Sequence, residues 1–186
     1  FGYMYDIISP DATELQALAN AMAASIAPVS GSSAYTPMPS YNLYPVSGSL
    51  DDWAYGTQGI FAYTIEMATQ FIPPAAQVPS IVDNNINAAM LLLSRKNSKI
   101  LRGHVTDAIT GEPLSAMVFI EGIDDNILKT SQYWTDPQYG SFNRFLPMGS
   151  YTVSYICPGY QSEVRTVQIS DLAPTVEDIA LLSVDA

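Results

Sequence analysis

A tyrosine and three carboxylates lie close together in one stretch of sequence, YPVSGSLDDWAYGTQGIFAYTIEM. Tyr44 opens the stretch, Asp51 and Asp52 lie in its polar middle, and Glu66 ends the apolar run IFAYTI. The carboxyl end of a strand is where open α/β sheets bind ligands. Glu66 is therefore a candidate general acid or base. The alternative is that Glu66 simply emerges into solvent at the end of a buried strand.

The remaining reactive side chains favour structural roles. Asp51–Asp52 beside a tryptophan is typical of a turn with a capping aspartate. His104 is the only histidine in the chain, and one histidine without a second His or Cys does not make a zinc site. The run Asp124–Asn126 resembles part of a calcium loop but lacks the spaced ligands and the terminal glutamate, so it predicts a turn.

Composition and charge exclude some classes of function. The chain has 186 residues, is 48% hydrophobic and carries a net charge of −11, which predicts a globular protein and disfavours nucleic-acid binding. All seven lysines and arginines lie at or after Arg95, whereas residues 1–94 hold seven acids and no Lys, Arg or His. Cys157 is the only cysteine, so no internal disulfide is expected.

Hydrophobic periodicity predicts an α/β pattern in the first half. Ser9–Ile26 reads as a helix with Leu15, Leu18, Met22 and Ile26 on one face, and Ile60–Met67 reads as a strand. Val78–Asn97 reads as a second helix. Its expected N-cap is Ser80, and its expected apolar face carries Ile86, Met90 and Leu93. A sheet needs more than one strand. We therefore predict that the first half is the end of a larger α/β domain.

The second half predicts an all-β domain. From about Ile100, short β-type runs follow one another with turn signals between them: ILRGHVT, AMVFIE, GSFNRFL, SYTVSYI, EVRTVQIS and DIALLS. Six or seven strands in under 90 residues are typical of a β-sandwich. The predicted boundary falls near residue 98, which gives a partial α/β domain over 1–97 and a β-sandwich over 98–186.

Residues 44–67 resemble the C-terminal part of zinc metallocarboxypeptidases of the carboxypeptidase A, B and T type. The segment SGSLDDWAYG followed by GIFAYTIEM is similar to that family's loop, Asp-Trp turn and catalytic strand. FGYMYD at the start of the chain and the helix Val78–Asn97 fit the same family. The resemblance covers residues 1–97 and implies a carboxypeptidase-type α/β/α domain.

The resemblance implies a role for each candidate residue. Glu66 would be the general base that activates a zinc-bound water and passes the proton to the leaving amine. Tyr44 would close over the C-terminal residue of the substrate. Asp51 would lie at the base of the specificity pocket, where an aspartate is typical of enzymes that remove C-terminal Lys or Arg. Asp52 would hold the turn.

The resemblance also implies that the zinc ligands lie elsewhere. In this family the His-x-x-Glu motif and the third ligand, a histidine, would precede Phe1, as would the arginines that hold the substrate carboxylate. We therefore expect zinc as cofactor but no metal ligand in this chain, and no activity of the chain alone. The expected partners are peptide or protein C-termini and the missing N-terminal part of the catalytic domain.

Residues 98–186 resemble the transthyretin-like, carboxypeptidase-regulatory β-sandwich. The segments that show this resemblance are ILRGHVTDAITGEPLSAMVFI, GSFNRFLPMGSYTVSY and PGY. Both modules are typical of secreted proteins, so the resemblance implies an extracellular location. No apolar run approaches the roughly 20 residues that span a bilayer. The alternative function is a non-catalytic binding or adhesion protein with a degenerate peptidase half.

Overall fold

The computed structural model describes residues 9–28, 34–46, 48–125 and 132–185. The FGYMYD segment and Asn126 lie outside these residues. The helices are α1 (Ala12–Ser25), α2 (Ser40–Leu43), α3 (Leu50–Gln58) and α4 (Val78–Ser94), with 3₁₀ turns at Ala75–Gln77 and Arg95–Asn97. The strands are β1 (Ile100–Asp107), β2 (Met117–Ile120), β3 (Ser141–Phe145), β4 (Gly149–Ile156), β5 (Glu163–Ile169), β6 (Thr175–Val176) and β7 (Ile179–Leu181).

Helix α1 confirms the predicted first helix and its apolar face. Leu18, Met22 and Ile26 are buried at the helical spacing that the sequence predicts, and Leu15 packs beside them. The face also carries a charge, because Glu14 is buried on the same side of the helix. A buried carboxylate needs a partner, and its partner comes from the far end of α4.

Helix α4 begins before its predicted cap. The predicted N-cap, Ser80, is wrong, because the helix starts at Val78 with Pro79 in its first turn. Proline suits this position, since its missing N–H would have no partner there. The hydroxyl of Ser80 instead donates a hydrogen bond to the carbonyl oxygen of Gln77 at 2.9 Å. The predicted helix end is formed by a 3₁₀ turn, Arg95–Asn97.

The predicted apolar face of α4 is not the face that packs in this chain. Ile81, Asn85 and Ala88 are buried on one side of the helix. Ile86, Met90 and Leu93 are 49%, 58% and 63% exposed. Helix α4 is apolar on more than one side, and α1 covers only one of them. Periodicity alone could not choose between these faces.

The predicted strand Ile60–Met67 does not form. Among the described residues before Ile100, no residue belongs to a strand, so this segment has no neighbour with which to form a hydrogen-bonded ladder. Its burial still alternates: Phe61 is buried, Tyr63 and Ile65 pack against the helices, and Thr64 and Glu66 are exposed. The segment thus keeps the inward and outward pattern of a strand without its pairing.

The six predicted β runs of the second half are confirmed, and β6 adds a short seventh strand. In the first sheet β1 pairs with β3 in an antiparallel sense and with β6 and β7 in a parallel sense. The second sheet has the antiparallel order β2-β4-β5. The inward positions of both sheets form one core, which includes Leu101, Val105, Phe142, Val118, Val153, Tyr155, Val167 and Ile179.

Candidate functional site

Glu66 lies on the outer side of the segment that links α3 to α4. Its side chain is exposed, and it does not end a buried strand as the sequence predicted. Tyrosines fix the segment on either side of it. The hydroxyl of Tyr63 donates to the carbonyl oxygen of Leu15 in α1 at 3.0 Å, and that of Tyr35 donates to the carbonyl oxygen of Met67 at 2.9 Å. The carboxylate is therefore accessible, and the backbone that carries it is anchored.

Asp51 is linked to the same segment. It is half-buried in the first turn of α3, and its Oδ2 accepts a hydrogen bond from the hydroxyl of Thr64 at 2.7 Å. Thr64 is two residues from Glu66, so their Cα atoms lie within about 7 Å of each other. This hydrogen bond joins residues thirteen positions apart and holds Asp51 against the segment that carries Glu66.

The cap of α3 is a serine and not an aspartate. The Oγ atom of Ser49 accepts a hydrogen bond from the backbone N–H of Asp52 at 3.1 Å. The predicted capping role of the Asp51–Asp52 pair is wrong in this respect. Both carboxylates instead lie in the first turn of α3, where the positive end of the helix dipole stabilises negative charge.

Tyr44 lies just beyond the short helix α2 and is 54% exposed. Its backbone N–H donates to the carbonyl oxygen of Ser40 at 3.2 Å. No hydrogen bond in the described part of the chain joins its side chain to Glu66 or Asp51. Of the three predicted site residues, Asp51 is therefore hydrogen-bonded to the segment that carries Glu66, and the Tyr44 side chain has no such bond to either residue within the described part of the chain.

A buried tyrosine and aspartate, which the sequence analysis did not identify, fix α3 against α1. The hydroxyl of Tyr55 donates to Oδ2 of Asp11 at 2.7 Å and accepts the backbone N–H of Asp11 at 3.1 Å. Burial and the neighbouring Asp11 carboxylate raise the pKa of Tyr55, so the hydroxyl stays protonated and donates. No short-range sequence signal joins residues that are 44 positions apart.

A buried ion pair joins the start of α1 to the end of α4. The guanidinium of Arg95 pairs with Glu14, and both side chains are largely buried. In the sequence, Arg95 is only the first of the basic residues, and nothing near it indicates Glu14 as its partner. Breaking a buried pair leaves an uncompensated charge and costs about 3–5 kcal/mol. The pair therefore joins the start of α1 firmly to the end of α4.

The described residues do not supply a metal site. No group of three or more His, Cys, Asp or Glu that could hold a metal ion occurs in 9–28, 34–46, 48–125 or 132–185. His104 instead lies on the surface of the β-sandwich, where its Nδ1 is 3.1 Å from Oδ1 of Asp178. Within the same residues, no helix combines the length and the apolar character needed to cross a bilayer.

Comparison with known proteins identifies the first half. Residues 1–88 match the family of zinc carboxypeptidases. Carboxypeptidase D of Rattus norvegicus is 32% identical over 140 residues, which is 74% of this chain and 10% of that protein. Carboxypeptidase SOL1 of Arabidopsis thaliana is 29% identical over 139 residues, 74% of this chain and 27% of its own length. The catalytic chain of human carboxypeptidase N is 27% identical over 138 residues, 74% of this chain and 28% of its own length.

The resemblance to zinc metallocarboxypeptidases is thus confirmed by the match of residues 1–88 to that family. A match of 140 residues is longer than either half of the chain, so it also crosses the predicted boundary near residue 98. The chain spans less than a third of the length of these relatives. The matched family consists of zinc carboxypeptidases. The residues that the structure describes contain no group of side chains that could hold the zinc ion.

Proposed function

We propose that this chain is part of a metallocarboxypeptidase and supplies the general base of its active site, Glu66. The observation that carries the proposal is the family match over residues 1–88. The hydrogen bond between Asp51 and Thr64 adds support, because it holds a second carboxylate beside the Glu66 segment. The boundary at residue 98 and the transthyretin-like character of the β-sandwich are part of the same proposal.

Glu66 would move the proton during peptide-bond hydrolysis. Its carboxylate would accept a proton from the attacking water and return it to the nitrogen of the departing residue. Exposure of Glu66 suits this role, because both water and substrate can reach it. We propose that zinc is held by residues outside this chain, and that the 186-residue chain alone does not hydrolyse peptides.

Asp51 and Tyr44 would bind the C-terminal residue of the substrate. Asp51 is half-buried, and a carboxylate in that position gains most from a cationic partner. Residues 1–94 carry seven acids and no cationic side chain, so this half attracts a C-terminal Lys or Arg and offers it no repulsion. Tyr44, which is exposed just beyond α2, would cover the bound residue.

The test of the proposed base is Glu66→Gln in the full-length enzyme. Loss of the proton acceptor should lower kcat by about three orders of magnitude or more, a loss within the range known for catalytic acids and bases. KM should change little, because the amide keeps the size of the side chain. The matched control is Asp83→Asn, which neutralises an exposed acid on α4. Near-wild-type turnover of Glu66→Gln would remove the assignment.

A second candidate is a non-catalytic binding or adhesion protein that uses the β-sandwich. The observation in its favour is that the described residues hold no group able to bind a metal. Zinc content of the full-length protein separates the candidates, since a catalytic protein binds about one zinc per chain and a degenerate one binds none. An extracellular location belongs to both candidates, and fractionation of the native protein tests it.

A further inference from the structure

The segment that carries Glu66 begins at Gly59, where α3 ends against the β-sandwich. Gly59 has a left-handed backbone conformation with φ 65° and ψ 19°, which glycine adopts without strain. A Cβ atom at this position would lie 2.6 Å from Cδ2 of Tyr133, far inside the roughly 3.5–4.0 Å optimum for two non-bonded carbons. The Tyr133 ring therefore contacts the backbone of Gly59 at a distance that only glycine permits.

Tyr133 is held firmly by the β-sandwich. Its hydroxyl donates to the carbonyl oxygen of Asn143 and accepts the N–H of the same residue, both at 3.0 Å. Its carbonyl oxygen accepts the N–H of Val118 at 2.9 Å. The guanidinium of Arg144 lies 4.9 Å from the ring centroid, and two hydrogen bonds of 2.8 and 2.9 Å fix that guanidinium to Asp124. The ring is thus a rigid surface against which Gly59 rests.

A second contact lies two residues further along. Phe61 is 7% exposed, and its ring meets that of Phe145 edge to face with centroids 5.5 Å apart. Phe145 belongs to β3 and pairs with Ile100, so it is part of the first sheet. The guanidinium of Arg95 lies 5.5 Å from the centroid of Phe145. Phe61 therefore packs between the helical half and the first sheet.

These contacts decide which way Glu66 faces. Along the segment Phe61, Tyr63 and Ile65 pack inward while Thr64 and Glu66 are exposed. A slip by one residue would exchange the two sides. In a sheet the ladder would prevent such a slip, but the segment forms no ladder within the described residues. Within these residues, the buried ring of Phe61 and the closely packed Gly59 fix the register instead.

We propose that the β-sandwich positions Glu66 through these two contacts, with Tyr133 and Phe145 as positioning residues for hydrolysis. The proposal rests on the proposed function where it assigns chemistry to Glu66. It goes beyond that function because it gives the β-sandwich a direct role in positioning Glu66. The contacts themselves do not depend on the reaction.

The first test is Gly59→Ala in the full-length enzyme. The methyl group must displace Tyr133 or the segment, and a displacement of about 1 Å at a catalytic group can cost about 100-fold in rate. We expect kcat to fall between tenfold and 100-fold while KM stays within about twofold. The matched control is Gly111→Ala, which has a similar φ of 75° but no atom within 4 Å of its Cβ position. Equal effects of the two variants on kcat would overturn the proposal.

The second test measures the segment directly in the 186-residue chain. Phe145→Leu keeps an apolar side chain at the contact and removes the ring edge that meets Phe61. Gly59→Ala and Phe145→Leu should each speed hydrogen–deuterium exchange of residues 59–68 severalfold, whereas Gly111→Ala should not. Unchanged exchange in both variants would overturn the positioning role. If exchange rises but Glu66→Gln retains full activity, the proposed function fails and the positioning of the segment stands.

Discussion

At the scale of single residues, one hydrogen bond holds the Asp51 carboxylate against the segment that carries Glu66. Thr64 donates to one of its carboxylate oxygens at 2.7 Å, which leaves the other oxygen available to a ligand. A carboxylate oxygen forms its strongest hydrogen bonds with cationic donors. Under the proposed function, Asp51 would therefore distinguish a cationic substrate side chain from an apolar one.

Replacement of Asp51 by isoleucine should change substrate preference. In the full-length enzyme, Asp51→Ile should lower kcat/KM for C-terminal Lys and Arg by at least tenfold and raise it for C-terminal Leu or Phe, because the cation loses its partner. The measurement is the ratio of kcat/KM between matched peptides. Asp52→Ile is the control, since it removes a charge from the same helix turn. An unchanged ratio in Asp51→Ile would exclude the pocket role.

The sequence predicted the candidate residues but not their contacts. Glu66 and Asp51 could be proposed as candidates from residue type, spacing and resemblance, because these are properties of a short stretch. The link from Asp51 to Thr64 and the pair of Glu14 with Arg95 could not, because each joins residues from different elements. A buried glutamate at position 14 is compatible with the helix pattern, and only the approach of Arg95 explains it.

At the scale of elements, α4 has more apolar surface than α1 can cover. Ile81 and Ala88 are buried, and Ala88 packs with residues of α1, whereas Val82, Ile86 and Met90 are exposed along another face. A helix that is apolar around most of its circumference is normally buried on several sides. We infer that the remainder of the peptidase domain covers this exposed face in the full-length protein.

Substitutions on the two faces of α4 should therefore behave differently. In the 186-residue chain, the double variant Ile86→Ser and Met90→Ser should change the free energy of unfolding by less than about 1 kcal/mol, because neither side chain is buried. In the full-length protein the same variant should cost about 3 kcal/mol or more, as large-to-small changes in a core do. Denaturant unfolding of both proteins measures the difference.

The control for that comparison is Ile81→Ser, on the buried face. It should destabilise the short chain and the full-length protein alike. If the double variant leaves the full-length protein as stable as the wild type, the exposed face of α4 is not covered by the rest of the domain.

The elements themselves were largely predictable, and two of the exceptions share one cause. Helix α1 and the six β runs follow from local periodicity and turn residues. The segment Ile60–Met67 has the composition of a strand, but a strand exists only when a neighbour pairs with it. The exposed face of α4 likewise depends on what lies opposite. In both cases the prediction fails because strand pairing or helix burial depends on residues that lie outside the local sequence.

At the scale of the whole molecule, the two halves differ in how their cores are composed. The buried core of the β-sandwich is formed entirely by residues from Leu101 to Leu181. The helical core, by contrast, packs against Phe145 of β3 in addition to its own residues. The β-sandwich is therefore self-sufficient within the described residues, whereas the helical half depends on the sheet for part of its burial.

This asymmetry predicts how fragments of the chain behave. Residues 98–186 expressed alone should fold cooperatively, with dispersed amide resonances and an unfolding transition close to that of the β-sandwich in the whole chain. Residues 1–97 alone should lack stable tertiary structure, because the fragment loses Phe145 and retains the exposed face of α4. Nuclear magnetic resonance and circular dichroism of the two fragments test both statements. A cooperatively folded 1–97 fragment would show that the helical half does not need the sheet, and would weaken the case that the β-sandwich positions Glu66.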